Sequence, residues 1–72
     1  MKKIKKIKIK VNGKIKFISN NYKMSDLIKN LNIPIKIVAI ELNKEIIDKK
    51  NINKINLKKD DRIEIVHFIG GG

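Results

Sequence analysis

The sequence has no cysteine, which excludes disulfides and thiolate metal sites. It has no tryptophan, one tyrosine and two phenylalanines, so it offers few rings on which nucleic-acid bases could stack. No apolar run approaches the roughly 18 residues that a membrane span requires. Lysines separate the isoleucines near the N-terminus, which argues against a signal peptide. We therefore expect a cytoplasmic protein with no membrane partner.

Acidic residues are also scarce: 7 Asp and Glu stand against 18 Lys and Arg, which gives a net charge of +11. Such a charge suggests nucleic-acid binding, but the lysines are spread through every segment and Arg62 is the single arginine. Ile (17), Lys (17) and Asn (9) dominate the composition, a bias that AT-rich codons alone can produce. We therefore expect no nucleic-acid partner. The charge should still favour acidic partners and make association sensitive to salt.

Side chains that could support catalysis are few as well. His67 is the single histidine, the carboxylates show no paired spacing typical of an acid–base couple, and no glycine-rich loop precedes a helix. We expect no bound metal and no bound cofactor. By elimination, the chain is predicted not to be an enzyme by itself.

Seventy-two residues suit one small domain, 1–72. Within residues 4–11, Ile7, Ile9 and Val11 alternate with lysines, which predicts a half-buried strand, and Asn12-Gly13 then signals a hairpin. Counting the register favours a three-residue loop. That loop would pair Val11 with Ile15 and Ile9 with Phe17, so that one face of the hairpin is apolar throughout.

A short helix follows, because four apolar residues are spaced as one helical stripe: Met24, Leu27, Ile28 and Leu31. Ser25 is the predicted N-cap, and Asp26 lies in the first turn, where the helix dipole favours an anion. Further strands are predicted at 37–42 and 45–47. An irregular crossing segment then leads to a charged turn and the last strand.

This order of elements predicts an α+β roll: a mixed four- to five-stranded sheet with one short helix across one face. In the last strand, Ile63 and Ile65 would face the helix. Glu64, Val66 and Phe68 would then lie on the open face of the sheet, where the two large apolar side chains form a candidate docking patch.

The sequence ends on Ile69 followed by Gly70, Gly71 and Gly72. A strongly apolar strand that runs directly into these glycines argues against a frayed end or a cloning scar. Residues without a Cβ can pass through a narrow channel, so we expect 69–72 to be a flexible tail, and 1–6 a flexible extension at the other end. The remaining reactive group is the α-carboxylate of Gly72. It is an anion at neutral pH and needs activation, most simply as an acyl-adenylate in another protein's nucleotide site.

The ending IEIVHFIGGG (63–72), together with AIELNKEII (39–47), resembles the ThiS family, the sulfur carriers of thiamine biosynthesis. The strand order matches the ubiquitin-like β-grasp fold of that family, and the resemblance covers about 7–72. It implies that an ATP- and Mg-dependent adenylating enzyme of the ThiF type activates Gly72. A sulfur-donor system then converts the adenylate to a thiocarboxylate, and thiazole synthase accepts the sulfur.

The same resemblance implies roles for the residues before the terminal glycine. Gly70 and Gly71 would complete the tail, and Val66, Phe68 and Ile69 would contact the partner enzymes. The free carrier is expected to be a monomer.

Three other functions stay open from the sequence. A carrier of the same fold, the small subunit of molybdopterin synthase, uses the same thiocarboxylate chemistry but hands sulfur to a pterin precursor. A protein modifier would be joined to lysines through Gly72. A small basic RNA-binding module would leave the tail inert.

Overall fold

Five strands and one α-helix form the part of the chain that the computed structural model describes, residues 5–67. The elements in chain order are β1 (Lys6–Val11), β2 (Lys14–Ser19), α1 (Met24–Asn30), β3 (Val38–Leu42), β4 (Glu45–Ile46) and β5 (Arg62–His67), with short 3-10 turns at Ile35–Ile37 and Lys49–Asn51. The strands form one sheet in the order β2-β1-β5-β3-β4, in which β1 and β5 are parallel and the other neighbours antiparallel. The predicted mixed sheet with one helix is confirmed.

The predicted ends of the chain are mostly beyond the described residues. The extension 1–6 and the tail 69–72 stay predictions, as does the orientation of Phe68, because residues 1–4 and 68–72 lie outside the described range. Lys6, the last residue of the predicted extension, is the first residue of β1 and pairs with Ser19.

The loop of the β1–β2 hairpin has two residues, so the predicted three-residue loop is wrong. Val11 lies opposite Lys14 and Ile9 lies opposite Lys16. Asn12 and Gly13, which form the loop, have φ of 50° and 81°. Positive φ at both positions gives the turn whose twist suits a two-residue hairpin.

The prediction failed because it required an apolar partner for every inward residue of β1. Lys16 is half-buried on the inner face, and a lysine at the edge of a sheet can cover apolar surface with its stem while its ammonium reaches water. Ile18, opposite Ile7, enters the core at 4% exposure. The shift sends Ile15 and Phe17 to the outer face.

The core lies between α1 and the inner face of the sheet. Its centre is apolar and consists of nine buried residues: Ile9, Ile18, Met24, Leu27, Ile28, Val38, Ile40, Leu57 and Ile63. Every strand except the two-residue β4 contributes to it. Because a helix of seven residues is not stable alone, α1 depends on this packing.

The start of α1 differs from the prediction that Ser25 is the N-cap. The helix begins at Met24, and Lys23 occupies the cap position with extended backbone angles. The Lys23 backbone N–H donates to the Asp26 carboxylate at 2.9 Å, so Asp26 stabilises the first turn as expected. Met24 is fully buried, and its N–H donates to the carbonyl of Ile55 at 2.9 Å. This tertiary contact fixes where the helix starts.

Three other predicted boundaries shift by one residue or more. Leu31, assigned to the buried stripe, is the C-cap residue of α1 and is 38% exposed. Ile37, assigned to a strand, belongs to a 3-10 turn and is exposed, so β3 starts at Val38. The short strand β4 ends at Ile46, not at Ile47. These apolar residues follow the sequence pattern but lie where the helix and the sheet end.

Candidate functional site

The candidate site is the outer, helix-free face of the sheet at the C-terminal half of β5. This strand lies in the middle of the sheet, yet it pairs with β1 only through Arg62 and Ile63. Its pairing with β3 continues from Ile63 to His67. The second half of β5 therefore extends past the end of β1, toward the residues that carry the sequence to Gly72.

The hairpin turn supports β5 where β1 ends. The backbone N–H of Ile65 donates to the side-chain carbonyl oxygen of Asn12 at 2.7 Å, across 53 residues of sequence. The N–H of Asn12 in turn donates to the carbonyl of Ile63 at 2.9 Å. One asparagine thus shapes the tight turn and fixes the strand that leads to the tail. The sequence indicates the turn but not this second contact.

Val66 lies on the outer face, as predicted. Its side chain is 51% exposed, whereas Ile63 is buried and Ile65 is partly buried on the helix side. Ala39 lies opposite Val66 on β3. The other predicted contact residues, Phe68 and Ile69, and the glycines Gly70, Gly71 and Gly72, lie outside the described residues.

Glu64 lies on this face, as predicted from the sequence, but two further residues of the face, Glu41 and Ile46, were not predicted. Glu64 on β5 lies opposite Glu41 on β3, and Glu41 also lies opposite Ile46 on β4, whose side chain is 74% exposed. The signal was the two-residue turn Asn43-Lys44, which places Ile46 on the same face as Glu41. The face around Val66 therefore combines apolar side chains with carboxylates, although the chain carries a net charge of +11.

Other groups of the described chain do not converge on this face. His67 is exposed and lies opposite Val38. Burial raises the pKa of the Tyr22 phenol, and the neighbouring Asp26 carboxylate adds to that shift, but these residues lie at the start of α1, on the helix side. Within residues 5–67, no group of three or more His, Asp or Glu side chains could hold a metal ion. In the same range, no helix is long and apolar enough to cross a membrane.

Comparisons with known proteins agree with the resemblance read from the sequence. Residues 7–72 match the model of the ThiS family. The chain is 42% identical over 65 residues to the sulfur carrier protein ThiS of Bacillus subtilis (strain 168), an alignment that covers 89% of this chain and 98% of the relative. It is 35% identical over 66 residues to a thiazole synthase of Magnetococcus marinus. That alignment covers 92% of this chain but only 20% of the relative.

A crystal structure shows the same fold. The thiamine biosynthesis protein ThiS from Geobacter metallireducens superposes with a TM-score of 0.81 at 26% identity, covering 92% of this chain and 100% of that one. This likeness confirms the predicted β-grasp fold.

Proposed function

The chain belongs to the ThiS family of sulfur carrier proteins, and we propose that it carries sulfur as a thiocarboxylate on the carboxyl group of Gly72. The observation that supports this site most directly is the family match, which runs from residue 7 through Gly72 and therefore includes the glycine ending. The proposed role is that of a carrier and cosubstrate, with the chemistry catalysed by partner enzymes. The chain is then used and restored in each cycle.

The proposed loading reaction has two steps. A ThiF-type enzyme, using ATP and Mg²⁺, lets a carboxylate oxygen of Gly72 attack the α-phosphorus of ATP, which forms an acyl-adenylate and releases pyrophosphate. A hydrosulfide equivalent from the donor system then attacks the same carbonyl carbon, AMP leaves with the electron pair of the broken C–O bond, and the thioacid loses its proton to give the thiocarboxylate. Activation is required because a terminal carboxylate is an anion at neutral pH and a poor electrophile.

We propose thiazole synthase as the acceptor of the sulfur. Support comes from the relative named thiazole synthase in Magnetococcus marinus, in which a segment similar to this chain occupies 20% of the length. A second relative with this name, from Paramagnetospirillum magneticum, shows the same proportion. Joining two modules in one chain raises their effective concentration, which is useful when the two modules work together.

The geometry of β5 suggests how a partner is engaged. Gly72 is the fifth residue after His67, so it lies at most about 18 Å from the end of the described strand. For a partner that binds the face around Val66, we therefore expect the reaction centre to lie within this distance of the end of β5. Carboxylates of Glu41 and Glu64 flank this face, so we expect the docking surface of the partner to be apolar with basic residues at its rim.

The test is the intact mass of the chain after incubation with a ThiF-type enzyme, ATP, Mg²⁺ and a sulfur donor. We expect a gain equal to one sulfur replacing one oxygen, localised to Gly72 by fragmentation. A chain without Gly72 should gain nothing and should unfold at the same temperature as the intact chain. An unchanged mass with an enzyme that loads another ThiS protein would contradict the proposal.

The acceptor is tested separately with the loaded chain. Adding thiazole synthase and its other substrates should return the mass to that of the carboxylate form. If molybdopterin synthase large subunit removes the sulfur and thiazole synthase does not, the acceptor is wrong while the carrier chemistry stands.

A further inference from the structure

The strand β2 forms one edge of the sheet and pairs only with β1. In an antiparallel hairpin closed by two residues, alternate residues direct their backbone groups toward the partner strand or away from it. Because Val11 and Lys14 close the loop, Ile15 and Phe17 direct their N–H and C=O groups outward. Within residues 5–67, no strand pairs with that side of β2.

Apolar and basic side chains alternate along β2, so this edge suits an added strand with a complementary alternation. Ile15 and Phe17 lie on the outer face and are 56% and 63% exposed. Lys14 and Lys16 point to the other face, toward the helix side. An edge strand with large apolar side chains and free backbone groups is a template for another strand. A strand that alternates acidic and apolar residues would meet lysines on one face and apolar side chains on the other.

On the helix side of this edge there is space for the acidic side chains of such a strand. A groove of about 340 Å³ is lined by Val11, Asn12 and Leu31 and by the β2 segment Lys14–Lys16. The lining combines the apolar side chains of Val11 and Leu31 with the basic side chains of Lys14 and Lys16. The aliphatic stem of a glutamate could cover Leu31 while its carboxylate reaches a lysine ammonium.

The outer face beside β2 is basic as well. Lys10 lies opposite Ile15 and Lys8 lies opposite Phe17. The nearby carboxylate is that of Asp60, which lies 3.9 Å from the Lys8 ammonium. Both side chains are largely exposed, so this pair neutralises little.

From this arrangement we propose that β2 binds an extended segment of a partner protein as an added strand, and that this segment alternates acidic and apolar residues. Backbone hydrogen bonds to Ile15 and Phe17 hold the segment in place, and cross-strand pairs set its specificity. This surface is distinct from the face around Val66, where carboxylates flank the apolar residues. Binding of a segment to β2 does not involve Gly72.

A second copy of the chain does not fit this edge. Antiparallel pairing of two β2 strands would set lysines close to lysines, which destabilises a sheet, and each copy carries a charge of +11. Nucleic acid would meet the lysines but would not satisfy the apolar pair Ile15 and Phe17.

The experiment titrates the ¹⁵N-labelled full chain with a capped peptide of about seven residues in which glutamate and valine alternate. We expect the largest amide shifts at Ile15, Phe17 and Ser19, whose N–H groups point outward, and smaller shifts at Lys14 and Lys16. A peptide in which lysine replaces glutamate should not bind. A chain without 70–72 should bind the probe with unchanged affinity, which keeps this test separate from the sulfur chemistry.

Matched variants locate the site. Replacing both Ile15 and Phe17 by threonine keeps residues that favour strands and should weaken binding at least about tenfold, since most apolar contact is lost. The variant Ile46→Thr, at a still more exposed position on the opposite edge of the same face, should bind the peptide like the parent chain. Matching unfolding temperatures would establish that each variant is folded.

Several results would overturn the proposal. These are shifts centred on β5, equal binding of the lysine peptide, or no shifts at about 1 mM peptide. Concentration-dependent shifts of the β2 amides without peptide would assign the edge to a second copy instead. Stronger shifts of the same amides with a short single-stranded RNA would assign it to nucleic acid.

Discussion

The turn between β3 and β4 contains a lysine in a conformation that suits glycine, and replacing it should stabilise the fold. Asn43 and Lys44 have φ of 52° and 73°, and they connect Leu42 to Glu45 in a two-residue hairpin. The left-handed conformation costs a residue with a Cβ about 1–2 kcal/mol. Glycine avoids this cost but gives up about 0.5–1 kcal/mol through the greater freedom of the unfolded chain. Lys44→Gly should therefore raise the free energy of unfolding by about 0.5–1 kcal/mol.

Thermal and urea unfolding measure this effect directly. With an unfolding entropy of about 2.1 cal/mol/K per residue, the expected gain corresponds to a rise of about 3–7 °C in Tm. Lys44→Ala keeps the positive φ and removes the same charge, so it should stay close to the parent chain. Lys29→Gly, in the last turn of α1, should lower the free energy of unfolding by about 1 kcal/mol. If Lys44→Gly destabilised the chain, or if Lys44→Ala stabilised it equally, the argument from backbone conformation would be wrong.

Three further changes test the core, the helix start and the candidate site. Leu27 is fully buried and Leu31 is 38% exposed, so Leu27→Ala should cost about 3 kcal/mol in urea unfolding and Leu31→Ala less than about 1 kcal/mol; equal costs would restore the predicted buried stripe. Asp26→Ala removes the acceptor of the Lys23 N–H and should cost about 1 kcal/mol, whereas an unchanged urea midpoint would show that this bond contributes nothing. Glu64→Lys reverses a charge beside Val66 and should slow sulfur loading by a ThiF-type enzyme severalfold without lowering Tm; faster loading would mean that the partner surface is acidic.

The sequence predicted the fold well because periodicity and turn chemistry agree along most of the chain. It predicted both faces of β5 correctly, since Ile63 and Ile65 alternate with exposed residues. It failed on the hairpin register, where the rule that buried positions are apolar does not hold at a sheet edge: Lys16 half-buries its stem, while Ile15 and Phe17 are exposed. The predicted start of α1 was wrong for another reason. A contact between Met24 and the carbonyl of Ile55 fixes it, and local capping preference carries no information about a residue so distant.

The asparagines show that a biased composition still carries structural information. In the sequence, the abundance of Asn is consistent with AT-rich codons alone. In the structure, four of them have positive φ: Asn12, Asn21, Asn32 and Asn43. Asparagine tolerates this conformation better than other residues with a Cβ. Codon bias can supply the asparagines, but the backbone uses several of them where a turn requires this freedom.

The net charge illustrates the opposite problem, because a sum over the chain hides where the charges lie. The value of +11 predicted acidic partners for the whole protein. Around Val66, however, the neighbouring charged side chains include Glu41 and Glu64, whereas β2 presents Lys14 and Lys16. The two surfaces therefore favour partners of opposite charge. A carrier that binds several proteins in turn can use the two surfaces to discriminate between them. Strand register decides this separation, since one residue of slip in β2 would exchange its lysines and its apolar side chains between the two faces.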